Sequence, residues 1–521
     1  MRNGMVLACA LLLSLAPFGA GVPRAEESGL PDEELLVLRV CEGVTELFEE
    51  QEHAIWSGYS LARQPFMVYV PDRWAVLLNV DEAPEGFGPP PADWPALGHN
   101  ASYHEGTYGT LVGQLAFDVS VGSAATVAVG LPSGFSEKVE HPAVDVFSYV
   151  VHEAFHQYQH EAFGQMPWER EEKYPISDVE NSALAWLEMR LLEEALEALE
   201  AGDANGCRDL TRTFAAVRQH RWDTADPFVR RYEQYKELLE GTAKYVELRC
   251  LELMPAIEYV STLDAVVSPL ANSFTRLPMP GLLLQELRER MGDGCLRPED
   301  IPRNRIYSVA SAQAFLLDHL GVEWKEPASR AGTEFTYVGL LADHLELGRD
   351  EAARLVEEAK NEHDFRAILA KADEARSAYL EDYAHELASF EGQEGMRVEV
   401  LAPSSGLSRS RVSRDRKWLA DSGRYCLCSL FEVYTLETSG WMLQLHDAGL
   451  LEINDWDAGH KTIVFYDTDV RQISIDGAPA SSLLPGARDF DTIEMAGDRF
   501  ALESEIPGRI EVTESTARLS F

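Results

Sequence analysis

The chain has 521 residues, of which 45% are hydrophobic and 9% aromatic. This length exceeds one average core, so two or three domains are expected, with enough apolar residues to bury a sizeable interior. Its 45 Lys and Arg against 87 Asp and Glu give a formal net charge of −42. Phosphate contacts need a basic surface, so this composition argues against nucleic-acid partners and against binding to anionic membranes.

The first 25 residues have the order of a secretory signal peptide. Arg2 precedes an apolar run from Met5 to Phe18, and small residues follow. Residues 1–25 are therefore predicted to be a signal peptide that is cleaved on export after Gly21 or Ala25, which gives a secreted or periplasmic protein. No later stretch reaches the roughly 18 apolar residues that span a bilayer, so no integral membrane segment is expected after signal removal.

The rest of the chain divides into three parts by the period of its apolar residues. Residues 26–140 are predicted to hold an N-terminal helix and a small β-sheet, with strands near 65–80 and 111–131. Residues 141–394 follow helical spacing. Their clearest helices are predicted at 142–163, 177–200, 230–253, 307–320 and 350–389. Short alternating strands predict an all-β domain over 395–521, folded as a sandwich. The fold class is therefore α+β.

Two histidines four residues apart carry the strongest chemical signal. They belong to His152-Glu153-Ala154-Phe155-His156, inside the helix predicted from Pro142. Residues at i and i+4 share one face of a helix, so both imidazoles can bind one ion. Glu153 can then take a proton from a water activated by that ion, as a general base. The opposing interpretation is a surface helix with two incidental histidines.

A catalytic zinc site needs a third protein ligand and keeps its fourth position open. One candidate is Glu180, but Ser177-Asp178-Val179-Glu180 is a capping box, which explains that glutamate structurally. The other is Glu240, which precedes Gly241 in a predicted helix. A glycine there costs about 1 kcal/mol relative to alanine, which indicates a packing reason such as close approach to the His152 helix. Glu240 is preferred, with Glu180 as the alternative.

With these residues the sequence resembles the gluzincins, the zinc metallopeptidases that include the thermolysin-like and aminopeptidase N-like enzymes. Glu240-Gly241-Thr242-Ala243-Lys244-Tyr245 resembles the Glu-Gly-x-Ala-x-Tyr segment that often carries their metal-binding glutamate. The resemblance covers roughly residues 100–320. It implies a zincin-like catalytic domain that binds Zn²⁺ through His152, His156 and Glu240. Tyr307 is similar to the downstream tyrosine of aminopeptidase N-like enzymes, which implies a role in stabilising the substrate oxyanion.

The sequence departs from the gluzincin pattern at three points. The separation between His156 and Glu240 is long, so an inserted helical segment near 177–229 is expected to fold out of the way. Lys244 occupies a position that is often acidic. No Gly-Ala-Met-Glu-Asn type segment precedes the motif, which argues against aminopeptidase specificity.

Two functions remain open at this point. The first is an exported zinc peptidase that hydrolyses a peptide or protein substrate, with Glu153 as general base. The second is a non-catalytic exported binding protein, with a degenerate zincin fold and a β-sandwich interaction domain. The intact Glu153 favours the peptidase, because a relic site has no reason to retain the base between two ligands.

Overall fold

A computed structural model gives the architecture of the chain. Apart from a few single positions, it describes residues 53–70, 73–92, 100–108, 116–130, 142–163, 169–253, 279–418, 424–479 and 485–521, together with isolated residues such as Leu38 and Trp94. The predicted signal peptide over 1–25 lies outside the described residues, as does most of the predicted N-terminal helix, so both stay predictions. The fold is mixed α/β, with a small sheet, a body of helices and a large C-terminal sheet.

The small sheet has five strands in the described part of the chain. They are β1 (Phe66–Val70), β2 (Trp74–Leu78), β3 (Ser102–Glu105), β4 (Ala116–Val121) and β5 (Ala124–Gly130), in the order β3-β2-β1-β5-β4. β1 and β5 are parallel, and the other neighbours are antiparallel. Every residue of β1 and β2 is buried, which explains their continuous apolar sequences. The strands predicted within 111–131 are present as the antiparallel pair β4 and β5. The region 65–80, predicted as one strand, is instead the antiparallel pair β1 and β2.

Helices occupy most of the described chain between 142 and 391. They are α1 (Pro142–Ala162), α2 (Val179–Glu200), α3 (Ala204–Thr224), α4 (Pro227–Lys236), α5 (Thr242–Leu253), α6 (Met279–Met291), α7 (Asn304–His319), α8 (Lys325–Ala331), α9 (Tyr337–His344), α10 (Arg349–Glu362) and α11 (Phe365–Glu391). They share one hydrophobic core with the inner face of the small sheet. Across the described residues, no helix combines the length and the hydropathy that a bilayer crossing requires.

Two predicted helices differ in detail from those observed. The region 350–389 is divided at Asp364, which takes a left-handed conformation (φ 46°) and accepts a hydrogen bond from the N–H of Ala367 at the start of α11. The region 230–253 is continuous, but a π-helical turn, Glu237–Gly241, joins α4 to α5. Such turns are rare and occur frequently at functional sites.

The C-terminal part is all-β, as predicted, but its strands belong to one continuous sheet instead of the two sheets of a sandwich. The described strands are β6 (Met396–Pro403), β7 (Ser408–Trp418), β8 (Tyr425–Glu437), β9 (Trp441–Asp455), β10 (His460–Asp467), β11 (Gln472–Ile475), β12 (Ala478–Pro479), β13 (Gly486–Phe490), β14 (Ile493–Ala496), β15 (Phe500–Ser504), β16 (Gly508–Val512) and β17 (Thr516–Ser520). The long strand β9 pairs with β8, β10 and β15, which joins the branches of the sheet.

The C-terminal sheet contacts the helical body along the end of α11. Tyr383 and Phe390 of α11 share a hydrophobic cluster with Leu427, Leu451 and Val464 of the sheet. The metal motif and the residues considered with it lie in the helical body, so the sheet is peripheral to the site described next.

Candidate metal centre

Helix α1 carries the His152-Glu153-Ala154-Phe155-His156 motif into the protein interior. Its apolar residues follow helical spacing and are buried, among them Phe147 and Val151. The helix packs against β5 and against α5. His152, Glu153 and His156 are consequently only 3%, 5% and 7% exposed. The motif therefore does not lie on a surface helix, which the opposing interpretation assumed.

The π-helical turn Glu237–Gly241 brings Glu240 against both histidines. Oε2 of Glu240 lies 3.4 Å from Nε2 of His152 and 3.3 Å from Nε2 of His156. These separations exceed the roughly 2.7–2.9 Å of a charge-assisted hydrogen bond. They match the separation of about 3.3–3.4 Å between two atoms that each bind one tetrahedral zinc ion at about 2.0–2.1 Å. The distance from Glu240 Oε2 to each of the two ring nitrogens is thus the one expected for ligands that share a zinc ion.

The Glu153 carboxylate belongs to the same buried group. One ligand atom each from His152, Glu153 and His156 lie within 4.8 Å of one another. A carboxylate therefore lies beside the ring nitrogens, on the side where a general base could act. The arrangement can do two things chemically: hold a divalent cation and accept a proton next to it.

Each imidazole directs its second nitrogen to a polar side chain. Nδ1 of His152 lies 3.3 Å from Oε2 of Glu247, and Nδ1 of His156 lies 2.6 Å from Oε1 of Gln159. The Gln159 amide donates to the backbone carbonyl of Leu239 over 2.7 Å. Partners of this kind fix the tautomer and orientation of metal-binding histidines. Both rings are thereby held with Nε2 towards Glu240.

The charges around the site favour a cation between the ring nitrogens. Burial lowers the pKa of His152, but the neighbouring carboxylates, with Glu240 the most influential, outweigh burial and raise that pKa to about 10. Burial raises the pKa of Glu240, whereas Lys236 and the two imidazoles hold it well below its usual value. Metal binding requires ionised carboxylates and displaces protons from its ligands, so a divalent cation would take the place of the imidazole proton.

Gly241 has a packing role, but its partner differs from the one predicted. A Cβ at this position would overlap the Cβ of Ala310 in α7 and would lie 3.5 Å from the Ala310 Cα. The glycine is therefore needed for close approach to α7 and not to the His152 helix. It allows the π turn to pack against α7 while Glu240, the preceding residue, faces α1.

The inserted segment contacts the helix that carries Glu240 of the candidate metal centre, although the sequence predicts that it folds out of the way. Helices α2 and α3 form most of the segment, and buried arginines of α3 reach the helix that carries Glu240. Nη2 of Arg221 lies 2.6 Å from Oε2 of Glu233 in α4. Arg218 forms a buried ion pair with Glu237 in the π turn. These contacts fix the segment immediately before Glu240.

The other two predicted site residues, Tyr307 and Glu180, lie in different surroundings. Tyr307 is buried near the start of α7, and its ring centroid lies 5.8 Å from that of His152. Glu180 is exposed in the first turn of α2. The cap of this helix is Asp178, whose side chain accepts from the N–H of Asn181, so the capping box that the sequence predicts at Ser177 is wrong.

Sequence reasoning missed three side chains around the site, namely Glu247, Gln159 and Lys236. Each has a helical spacing that could have identified it, because Glu247 is seven residues after Glu240, Lys236 is four before it, and Gln159 is three after His156. Lys244, which departs from the gluzincin pattern, contacts one of these side chains: its Nζ lies 2.7 Å from Oε1 of Glu247.

No match to this chain was found among family models, curated proteins or solved structures.

Proposed function

We propose that this protein is an exported, zinc-dependent hydrolase that cleaves peptide bonds, with a gluzincin-like metal site. The single observation that carries the proposal is the approach of Glu240 Oε2 to Nε2 of both His152 and His156 at 3.3–3.4 Å. Glu153 beside this group supplies the carboxylate that hydrolysis needs. The exported location is proposed from the signal-like order of the first 25 residues, and the peptide substrate from the resemblance to the gluzincins.

The roles of the side chains follow from their positions. His152, His156 and Glu240 would hold zinc, which when bound supplies Lewis acidity and lowers the pKa of a water ligand towards about 7. Glu153 takes a proton from the attacking water on its carboxylate and delivers it to the departing amide nitrogen. Tyr307, next to His152, is assigned to the developing oxyanion as a hydrogen-bond donor.

Glu247 and Gln159 act through the histidines and do not themselves touch the reactant. Each accepts from, or lies against, an Nδ1 atom, so each imidazole offers Nε2 as the electron-pair donor. The burial of the whole group excludes bulk water, which strengthens the electrostatic stabilisation of charge that develops during hydrolysis.

The decisive experiment compares Glu153→Gln with Glu161→Gln. Glu161 is an exposed glutamate on the same helix, so its variant is a matched control. Both proteins and the wild type are assayed for zinc content and for cleavage of a diverse peptide mixture followed by mass spectrometry. The proposal predicts zinc in all three, and a loss of cleavage of at least about 100-fold only in Glu153→Gln. Zinc in all three without any cleavage that depends on Glu153 would support the non-catalytic binding protein instead.

A further inference from the structure

Lys236 is a buried lysine that contacts the glutamate of the candidate metal centre. It is 5% exposed, and its Nζ lies 3.1 Å from Oε1 of Glu240, one helical turn away. The other oxygen of the same carboxylate, Oε2, is the one that faces the two imidazoles. The two oxygens of Glu240 thus have different neighbours.

We infer that Lys236 is a positioning residue that makes Glu240 a one-oxygen ligand and keeps a coordination position open for the reactant. The inference rests on the proposed function, because it assumes that zinc binds at this site. A carboxylate can bind a metal ion through one oxygen or through two. A second carboxylate oxygen on the ion would occupy the position that a catalytic zinc site leaves free.

The neighbouring glutamate repeats the same arrangement. Oε1 of Glu247 lies 2.7 Å from Nζ of Lys244, while its Oε2 lies 3.3 Å from Nδ1 of His152. In both pairs, one carboxylate oxygen contacts a lysine and the other contacts an imidazole. Lys244 is half-buried and also contacts Oε1 of Glu286 over 2.7 Å. Lys236 is buried, and burial of an ammonium group is costly unless it is paired, so the contact with Lys236 holds the Glu240 carboxylate in a defined orientation.

A simpler role for Lys236 would be to neutralise a buried carboxylate without any effect on coordination. Lys461 provides the matched control for that role. Its Nζ lies 2.8 Å from Oε2 of Glu452, in a buried lysine–glutamate pair of the C-terminal sheet. Lys236→Met and Lys461→Met each remove a buried ammonium group that contacts a glutamate, but only Lys236 contacts a residue of the candidate metal centre.

The test uses crystal structures of the full chain loaded with zinc. In the wild type and in Lys461→Met, we expect only Oε2 of Glu240 at bonding distance of the ion, which is about 2.0–2.2 Å. In Lys236→Met, both oxygens approach the ion, and peptide turnover falls while zinc stays bound. Lys236→Gln, whose amide ends one bond short of Nζ, is the second variant should methionine prevent folding.

Two outcomes would overturn the inference, and they are distinguishable. A wild type that binds no zinc at His152, His156 and Glu240 removes the proposed function and the role of Lys236 together. If the wild type binds zinc there, and both Lys236→Met and Lys236→Gln keep one-oxygen coordination and full turnover, only the role of Lys236 is refuted.

Discussion

The Gly241→Ala variant tests whether packing of the π turn against α7 positions Glu240. A Cβ at 241 would overlap the Cβ of Ala310. Non-bonded carbon atoms normally lie about 3.5–4.0 Å apart, so the turn and α7 must separate by more than about 1 Å. Overpacking of this kind costs about 1–3 kcal/mol, against a gain of about 1 kcal/mol when alanine replaces glycine in a helix. We therefore expect a net loss of unfolding free energy of up to about 2 kcal/mol.

The same displacement reaches the metal site, because Glu240 is the residue before Gly241. Misplacement of a site residue by about 1 Å can cost about 100-fold in rate. The proposed peptide hydrolysis should therefore slow, and the affinity for zinc should weaken. Ala310→Gly removes the overlapping methyl group. The variant that carries both substitutions should therefore recover the zinc affinity and the hydrolysis rate of the wild type.

The assay is a double-mutant cycle in urea unfolding, with a zinc competition titration on the same four proteins. Residues in direct contact couple by about 0.5–3 kcal/mol, and we expect the upper half of that range. Additive effects of the two substitutions would refute this reasoning. So would a Gly241→Ala protein that is as stable as the wild type and binds zinc as tightly.

Three buried carboxylates of the candidate metal centre and of the adjacent ion network, Glu240, Glu247 and Glu233, give three further tests. Glu240→Ala should lose zinc. Glu180→Ala, at an exposed position, should keep zinc and change the unfolding free energy by less than about 0.5 kcal/mol. Zinc loss only in Glu180→Ala would reverse the ligand assignment. Glu247→Gln should weaken zinc binding by about 10–100-fold, because the contact with Nδ1 of His152 orients the ring; an unchanged dissociation constant in a competition titration would contradict it. Burial alone would raise the pKa of Glu233, but Arg221, Arg305 and Arg218 hold it well below 4.5. The stabilisation from this carboxylate is therefore complete above about pH 4.5 and is lost as the pH falls through the lower folded-state pKa. Glu233→Gln should show a shallower loss of unfolding free energy with acid than the wild type, and an identical slope would argue against the ion network.

Local periodicity was sufficient to locate the motif helix and most strands. The apolar spacing of Phe147, Val151 and Phe155 predicts α1 within a residue of its observed ends, and the buried strands β1 and β2 appear as apolar runs. These features depend on near neighbours in the sequence. The division of 350–389 was missed because Asp364 takes a left-handed conformation that helical periodicity does not reveal.

The candidate site was only partly predictable, because its outer contacts depend on packing between distant segments. Gly241 correctly indicated close packing, but only the structure identifies Ala310 as its partner. The buried pairs between Arg218 and Glu237, and between Arg221 and Glu233, join residues that composition alone would assign to a solvated helix surface. The long insertion was therefore expected to be peripheral, whereas it supports the helix that carries Glu240.

The proposed function requires that the imidazoles of His152 and His156 and the Glu240 carboxylate bind one metal ion. Equilibrium dialysis against zinc tests this requirement with three proteins: the wild type, His156→Ala and His160→Ala. His160 is the matched control, since it is exposed one turn further along the same helix. We expect one tightly bound zinc per chain in the wild type and in His160→Ala, and none in His156→Ala. A wild type without zinc, or a His156→Ala protein that binds zinc as tightly as the wild type, would contradict it.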